Sequence, residues 1–189
     1  MSDEPMETAV EGRIEVRTAR LRLVALDAEL ARLQAEDRPA FFAALNAKPE
    51  AAWPPDRDDA VTRAHTRVRL ESCPDEAGWH DWVFLMAWAP GEPDRAVGAG
   101  RFHGPPDETG AIEIGYAMLP SFREQGLATE AVEGMLSWAV RDERVRRVHA
   151  RTLAHLAASR RVLEKTGFEK TRPDADDAAD VVRYVRDAA

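Results

Sequence analysis

The sequence is short of the residues that staple a chain or hold a metal. Its 189 residues contain a single cysteine, Cys73, so neither an internal disulfide nor a cysteine metal cluster can form. The histidines do not have metal-ligand spacing, and we predict no metal site from them. They are His65, His80, His103, His149 and His155.

Long apolar runs and an excess of positive charge are also missing. No stretch approaches the roughly 18–20 apolar residues of a membrane span, and the acidic start of the chain lacks a secretory signal. We therefore expect a cytoplasmic protein without a membrane partner. The formal net charge of −8 argues against nucleic-acid binding, which needs a basic face. It favours cationic partners, or serves only to keep the protein in solution.

The hydrophobic pattern predicts one mixed α/β domain over residues 13–189, preceded by a disordered tail over residues 1–12. No repeat or internal linker divides the domain. Strands are predicted at 17–26, 82–88, 96–103, 111–119, 147–152 and 181–186, with 82–88 and 96–103 forming a hairpin. Helices are predicted from Asp27 to Gln34 and at 39–47, 58–71, 127–140 and 158–165, the last ended by Gly167 and Phe168.

The turn between the predicted strand 111–119 and the helix 127–140 is the main functional signal. A small-residue turn at that place presents unpaired N–H groups at the positive end of a helix dipole, which is a seat for a phosphorylated ligand. No Gly-Lys-Ser/Thr ending of a nucleotide-binding loop is present. The sequence Gly98-Ala99-Gly100 is an incomplete dinucleotide fingerprint inside a predicted strand, where close strand packing explains it better.

Several motifs occur in a defined order around this turn. They are residues 19–23 (Ala-Arg-Leu-Arg-Leu), 113–116 (Glu-Ile-Gly-Tyr), Arg123 with Gly126 and Ala128, 129–131 (Thr-Glu-Ala), and 159–168 (Ser-Arg-Arg-Val-Leu-Glu-Lys-Thr-Gly-Phe). As an ordered set they resemble the GCN5-related N-acetyltransferase (GNAT) superfamily, and within it the RimJ/RimL-like branch. The resemblance covers nearly the whole domain. It implies an α/β fold with a central, mostly antiparallel, splayed sheet of six to seven strands flanked by helices.

The resemblance also implies acetyl-CoA as the cosubstrate and direct acetyl transfer to a primary amine. In such folds the pantetheine arm pairs with main-chain groups in the splayed sheet, here those of Ala117, Met118 and Leu119. The diphosphate lies on N–H groups of the turn, with side chains at two of its positions adding charge or donors. The implied residues are Arg123, Glu124, Gln125, Gly126, Leu127, Ala128 and Thr129. Glu124 fits beside a diphosphate only if its carboxylate points to solvent.

Strand parity indicates Glu113 as the base that takes a proton from the amine. Glu113 shares a face with Gly115 and Ala117, whose small side chains leave a slot. Family members often place a base on this strand, although an ion pair with a neighbouring arginine would explain Glu113 equally well. Ser159 is the candidate acid for the CoA thiolate, or else a helix cap. The positions where the family often has tyrosine and asparagine hold Leu163 and Leu156.

The acceptor side is less defined. Trp79 and His80 are candidates to line an amine pocket, or they belong to the core. The acidic segment 173–180 is predicted to border the acceptor site, or to be a solvated loop. The acceptor is a protein N-terminus, as the branch suggests, or a small amine such as a polyamine, amino acid or drug. A non-catalytic acyl-CoA-binding module is the alternative outside the enzyme class. The resemblance also allows a homodimer.

Overall fold

The computed structural model describes residues 6–7, 12–56, 60–174 and 176–188. Its strands are β1 (Met6–Glu7), β2 (Glu15–Arg17), β3 (Leu21–Ala25), β4 (Ala47–Pro49), β5 (Asp81–Met86), β6 (Asp94–Phe102), β7 (Ala111–Met118), β8 (Arg147–Leu153), β9 (Glu169–Lys170) and β10 (Val181–Asp187). Its α-helices are α1 (Ala28–Glu36), α2 (Arg38–Ala44), α3 (Ala60–Ser72), α4 (Leu127–Ala139) and α5 (Ala157–Lys165). Of the predicted tail, residues 1–12, only Met6, Glu7 and Gly12 are described, and the first two form β1.

All described strands belong to one sheet with the order β1-β2-β3-β5-β6-β7-β8-β10-β9, and β4 pairs with β6. The pairs β4–β6 and β7–β8 are parallel, and the others are antiparallel. The predicted mostly antiparallel α/β sheet flanked by helices is therefore confirmed. Six of the strands have five or more residues, and they correspond to the six predicted strands. The other four have two or three residues.

The sheet is split between β7 and β8. These strands pair only from Ala111 to Ile114 on β7, opposite Arg147 to Ala150 on β8. Beyond that point β7 continues alongside β6, and β8 continues alongside β10. The two halves of the sheet therefore separate at the carboxyl ends of β7 and β8, which is the predicted splay.

Helix α4 packs on the sheet face that carries Ile112, Ile114 and Tyr116. Its apolar residues recur at helical spacing and are buried; they are Leu127, Ala131, Val132, Met135, Leu136 and Ala139. A Cβ atom at Gly100 would lie 2.5 Å from the Phe84 ring and 2.7 Å from the Met135 sulfur. Glycine at this position therefore allows the helix to lie close to the sheet.

The predicted strand 17–26 is wrong in one respect, because Arg17 is the last residue of β2, a turn follows it, and β3 begins only at Leu21. The Thr18 N–H donates to the Leu21 carbonyl at 2.9 Å, and the Leu21 N–H donates to the Thr18 hydroxyl at 3.0 Å. Alternating polarity continues through the turn, so the pattern alone did not reveal it. A threonine side chain that bonds to nearby backbone ends a strand in this way.

The helix ends follow the sequence signals. Asp27 caps α1 by accepting the Leu30 N–H at 2.7 Å. At the end of α5, Gly167 has a left-handed φ of 82°, and the Phe168 N–H donates to the Leu163 carbonyl at 3.0 Å. The left-handed cap predicted at Gly167 is therefore present, and this hydrogen bond makes it a Schellman ending. Among the described residues, none of the helices combines the length and the apolar character that a membrane crossing requires.

Candidate active site

A cleft of about 1140 Å³ opens where β7 and β8 separate. Its walls come from both strands, from the turn before α4 and from the first half of α5. The site residues predicted from sequence that line it are Glu113, Ala117, Met118, Arg123, Glu124, Gly126, Leu127, Ala128, Thr129 and Ser159. Leu119, Gln125, Trp79 and His80 are not among the described residues that line it. The structure thus brings together most of the predicted site.

Two main-chain positions of β7 face the gap. The His103 N–H donates to the Glu113 carbonyl at 3.0 Å, and the Leu119 N–H donates to the Val97 carbonyl at 2.9 Å. Because hydrogen-bonded residues alternate in an antiparallel ladder, odd-numbered β7 residues bond to β6 and even-numbered ones face away. The groups that face the gap are therefore those of Tyr116 and Met118, rather than those of Ala117 and Leu119 as predicted.

The turn before α4 forms an uncapped helix start. Glu124 and Gly126 have left-handed φ values of 62° and 77°, and Gly126 is the N-cap residue of α4. No side chain of the described residues caps this end. The first N–H groups of the helix are thus available to an anion, and the missing side chain at Gly126 keeps the approach open. Glu124 is exposed, as its place beside such a seat requires.

The two side chains predicted to assist this seat have other partners. The Arg123 guanidinium donates to the Met118 carbonyl at 3.0 Å and pairs with Asp56 at 2.8 Å. The Gln125 amide donates to the Ser121 carbonyl at 2.9 Å. Both side chains therefore stabilise the turn. Arg123 also bonds to the Met118 carbonyl, which is one of the main-chain groups that face the gap.

Sequence reasoning missed Arg20 as part of this seat. Its guanidinium donates to the Gln125 carbonyl at 2.9 Å, and one of its nitrogens would lie 3.5 Å from a Cβ atom at Gly126. The one signal in the sequence was that Arg20 belongs to the motif at residues 19–23. The motif alone does not show which residues Arg20 contacts. Exposed Arg161 and Lys165 of α5 line the cleft as further cations.

Glu113 lies on the face that strand parity predicted. Its Oε1 accepts a hydrogen bond from Arg151 Nε at 2.8 Å, so the ion pair considered as an alternative is present. His103 Nε2 lies 3.9 Å from the same oxygen. The pKa of His103 is below its ordinary 6.5 because partial burial disfavours the charged ring, and this outweighs the attraction of Glu113.

Tyr116 and Ser159 meet on the opposite face of β7. The Tyr116 hydroxyl donates to the Ser159 carbonyl at 3.0 Å and lies 3.3 Å from the Ser159 hydroxyl. Burial raises the pKa of Tyr116 to about 12, so the phenol keeps its proton at neutral pH. Ser159 does not cap α5, whose N-cap residue is Leu156.

The candidate acceptor residues Trp79 and His80 lie in the core. Trp79 is 6% exposed and packs against Trp138, with ring centroids 4.7 Å apart. His80 is buried, and its Nε2 lies 2.9 Å from a Glu76 carboxylate oxygen. A tryptophan supplies a large apolar surface to the core of a small domain. Trp79 and the neighbouring His80 therefore belong to the core rather than to an amine pocket.

The acidic segment 173–180 is partly neutralised by one arginine. Arg183 forms ion pairs with Asp174 at 2.7 Å and with Asp177 at 2.5 Å. These two carboxylates therefore stabilise the loop rather than present free charge. In the described part of the chain, no group of three or more histidine, cysteine or acidic residues is arranged to hold a metal ion.

Comparison with known proteins agrees with this geometry. A family model described as an acetyltransferase (GNAT) domain matches residues 28–169. The chain is 30% identical over 153 residues to the uncharacterised N-acetyltransferase YjdG of Bacillus subtilis (strain 168), covering 81% of this chain and 88% of that protein. The chain therefore belongs to the GNAT family of acetyltransferases, and it is an N-acetyltransferase.

Solved structures share the fold at low sequence identity. The ribosomal-protein-S5-alanine acetyltransferase of Vibrio fischeri has a TM-score of 0.61 at 14% identity, covering 92% of this chain and 96% of that one. RimL, the ribosomal L7/L12 α-N-protein acetyltransferase, was solved in complex with coenzyme A. It has a TM-score of 0.58 at 20% identity and covers 90% of this chain and 95% of its own. At these identities the likeness shows the fold alone.

Proposed function

We propose that the acetyl donor is acetyl-CoA, bound in the gap between β7 and β8. The observation that carries this proposal is that one cleft contains both the gap between the strands and the uncapped start of α4. An extended pantetheine arm suits the main-chain groups of Tyr116 and the N–H of Met118, and a diphosphate suits the N–H groups behind Gly126. The guanidinium of Arg20 beside Gly126 adds positive charge to this seat.

The acceptor in this proposal is the α-amine of a protein N-terminus, as in the RimJ/RimL-like branch. Proteins with this fold include acetyltransferases named for ribosomal protein substrates. An α-amine has a pKa of about 7.7–8.0 and a lysine amine about 10.4. Near neutral pH an α-amine therefore needs much less help to lose its proton. A cytoplasmic location belongs to the same proposal, since new protein N-termini and acetyl-CoA occur together there.

The two faces of β7 divide the chemistry in this proposal. Glu113 lies on one face with the slot of Gly115 and Ala117, and this face receives the amine. Ser159 lies on the other face, where its hydroxyl can relay a proton from the amine to the departing CoA thiolate. Because a thioester is already activated, positioning and proton transfer are the main tasks of the protein.

Release of free thiol from acetyl-CoA tests the proposal. The assay uses peptides with free N-termini that also contain one lysine, the same peptides with acetylated N-termini, and a panel of polyamines, amino acids and aminoglycosides. We expect turnover with the free N-terminal peptides and little with their acetylated partners. Turnover with small amines only would reject the protein acceptor. Tight CoA binding without turnover of any amine would instead identify an acyl-CoA-binding module.

The oligomeric state remains a prediction. Light scattering with and without CoA would measure it, and a monomer under both conditions would reject the homodimer that the family resemblance allows.

A further inference from the structure

The carboxylate of Glu113 is poorly placed to take the proton itself. Its Oε1 already accepts a hydrogen bond from Arg151 at 2.8 Å, within an ion pair. A general base works best when its pKa lies near the operating pH, and imidazole, with an ordinary pKa of about 6.5, suits this task. The imidazole of His103 lies close by, with its Nε2 3.9 Å from Glu113 Oε1.

His103 comes to this place through the register of the β6–β7 hairpin. It directly follows β6, and its N–H donates to the Glu113 carbonyl at 3.0 Å. Its side chain is 44% exposed and lines the cleft. Its Nε2 would lie 3.7 Å from a Cβ atom at Gly115. Gly115 is the first β7 residue beyond the pairing with β8, so the imidazole stands where the gap begins.

The ring is free to accept a proton at this position. Among the residues that the structure describes, Glu113 Oε1 is the acidic group nearest to Nε2, and their separation of 3.9 Å exceeds a hydrogen bond. The charged groups around the ring come from four strands: Asp81 on β5, Arg101 on β6, Glu113 on β7 and Arg151 on β8. The acids favour the imidazolium and the arginines disfavour it. Together with partial burial, this balance keeps the ring neutral at pH 7.

We infer that His103 is the general base of this acetyltransferase and that Glu113 is a positioning residue that stabilises the imidazolium. The inference rests on the proposed function. His103 Nε2 takes one proton from the ammonium group, directly or through one water, and the neutral amine attacks the thioester carbonyl. The new C–N bond replaces the C–S bond. The second amine proton passes to the CoA thiolate, and the proton on His103 returns to solvent.

The test is the dependence of kcat/KM on pH, measured with an N-terminal peptide acceptor. We expect His103→Gln to lower kcat/KM by at least a hundredfold at pH 7, in the range of general-base catalysis. The loss should shrink above pH 9, where the amine loses its proton unaided. Glu113→Gln should move the rising limb to lower pH, because it removes a charge that favours the imidazolium. His65→Gln, on the exposed surface of α3, is the matched control and should keep the wild-type profile.

A titration of the histidine ring signals by NMR gives a readout independent of turnover. The His103 signal, identified by its absence from His103→Gln, should titrate below pH 6.5 and lower still in Glu113→Gln. CoA affinity and thermal unfolding show whether each variant is folded, and His103→Asn replaces His103→Gln if the latter is not. A wild-type pH profile in an active His103 variant would overturn the inference and leave the proposed function intact. Absence of turnover by the wild-type protein would overturn the proposed function itself.

Discussion

Arg20 and Glu130 lie 110 residues apart in the chain and are joined by two hydrogen bonds. The Arg20 N–H and guanidinium reach the Glu130 carboxylate at 2.6 and 2.7 Å, and the Thr18 hydroxyl donates to it at 2.6 Å. The same guanidinium bonds to the Gln125 carbonyl. The turn between β2 and β3 is therefore tied to the first turn of α4, and the arginine is held beside the proposed diphosphate seat.

Replacing Arg20 by glutamine should weaken CoA binding about tenfold, because the seat loses a fixed positive charge. The dependence of affinity on salt should become shallower as well, since exposed charges are screened by ions. Calorimetry at two salt concentrations measures both effects. Arg17→Gln removes an equal charge from β2, where Arg17 pairs with Glu15, and should leave CoA affinity unchanged. Equal losses in the two variants would mean that only net charge matters.

We predict that Glu130 makes a pH-dependent contribution to the stability of the fold. Partial burial would raise its pKa, but hydrogen bonds from Thr18 and Arg20 outweigh that effect and hold it below its ordinary value. A carboxylate with a lowered folded-state pKa stabilises the fold above the unfolded pKa, and this stability is lost as the pH falls through the folded pKa. Glu130→Gln should therefore lower the free energy of unfolding by about 1–3 kcal/mol at pH 7.

Urea unfolding at pH 7 and pH 3 measures this contribution. The difference between Glu130→Gln and wild type should narrow at the lower pH, where the wild-type carboxylate is protonated as well. Glu133→Gln changes an exposed residue of the same helix and serves as the control. A gap that stays constant between the two pH values would contradict the prediction.

Gly126 allows the charge at the seat to be tested separately from backbone strain. Its φ of 77° disfavours most side chains, but asparagine and aspartate tolerate this region about equally. Gly126→Asp should weaken CoA binding at least tenfold more than Gly126→Asn, because only aspartate places a negative charge at the seat. Acetylpantetheine, which lacks the diphosphate, should not distinguish the two variants. The placement of the diphosphate fails if CoA does not distinguish them either.

Tyr116 should act as a structural hydrogen-bond donor rather than as the acid that protonates CoA. Its pKa of about 12 lies well above the roughly 8.5 of a thiol, so transfer of its proton to the thiolate is unfavourable. Tyr116→Phe should reduce stability by about 1 kcal/mol through loss of the bond to Ser159. Its effect on kcat should stay below about tenfold, because general acid catalysis contributes more than that. A hundredfold fall in kcat at unchanged stability would assign the acid role to Tyr116.

Alanine substitutions at Gly100 and Gly115, which lie on neighbouring strands, should have separate effects on stability and on catalysis. Alanine at Gly100 would place its Cβ against Phe84 and Met135, so we expect a loss of about 1–3 kcal/mol in the free energy of unfolding. At Gly115 the nearest atoms are 3.6 and 3.7 Å away, which is ordinary contact. Gly115→Ala should keep its stability and lose activity, since its methyl group enters the slot beside His103. Unfolding curves and acetylation rates for both variants check this contrast.

The parts of the site that depend on local sequence could be predicted. The turn at Gly126 and the face that carries Glu113 follow from helix-start chemistry and from the two-residue period of a strand. The start of α1 could likewise be predicted from Asp27, and the end of α5 from Gly167. Each of these features depends on residues that are close together in the chain.

The features that depend on long-range pairing were not found. The contact of Arg20 with the turn at Gln125 spans 105 residues, and no periodicity records it. His103 faces Glu113 only because the hairpin has one particular register, and a shift by one residue would turn its side chain to the other face. Burial also decided between the two interpretations of Trp79, because an aromatic residue suits a pocket and a core equally well.

The split sheet has a consequence for the protein without its ligand. A strand edge with unsatisfied main-chain groups is a template for pairing with another chain, and it favours aggregation. Here such an edge lies inside the sheet, at Tyr116 on β7, instead of at its margin. A ligand that lies along this edge replaces the missing strand, so occupancy of the site should protect the protein against self-association as well as supply the acetyl group.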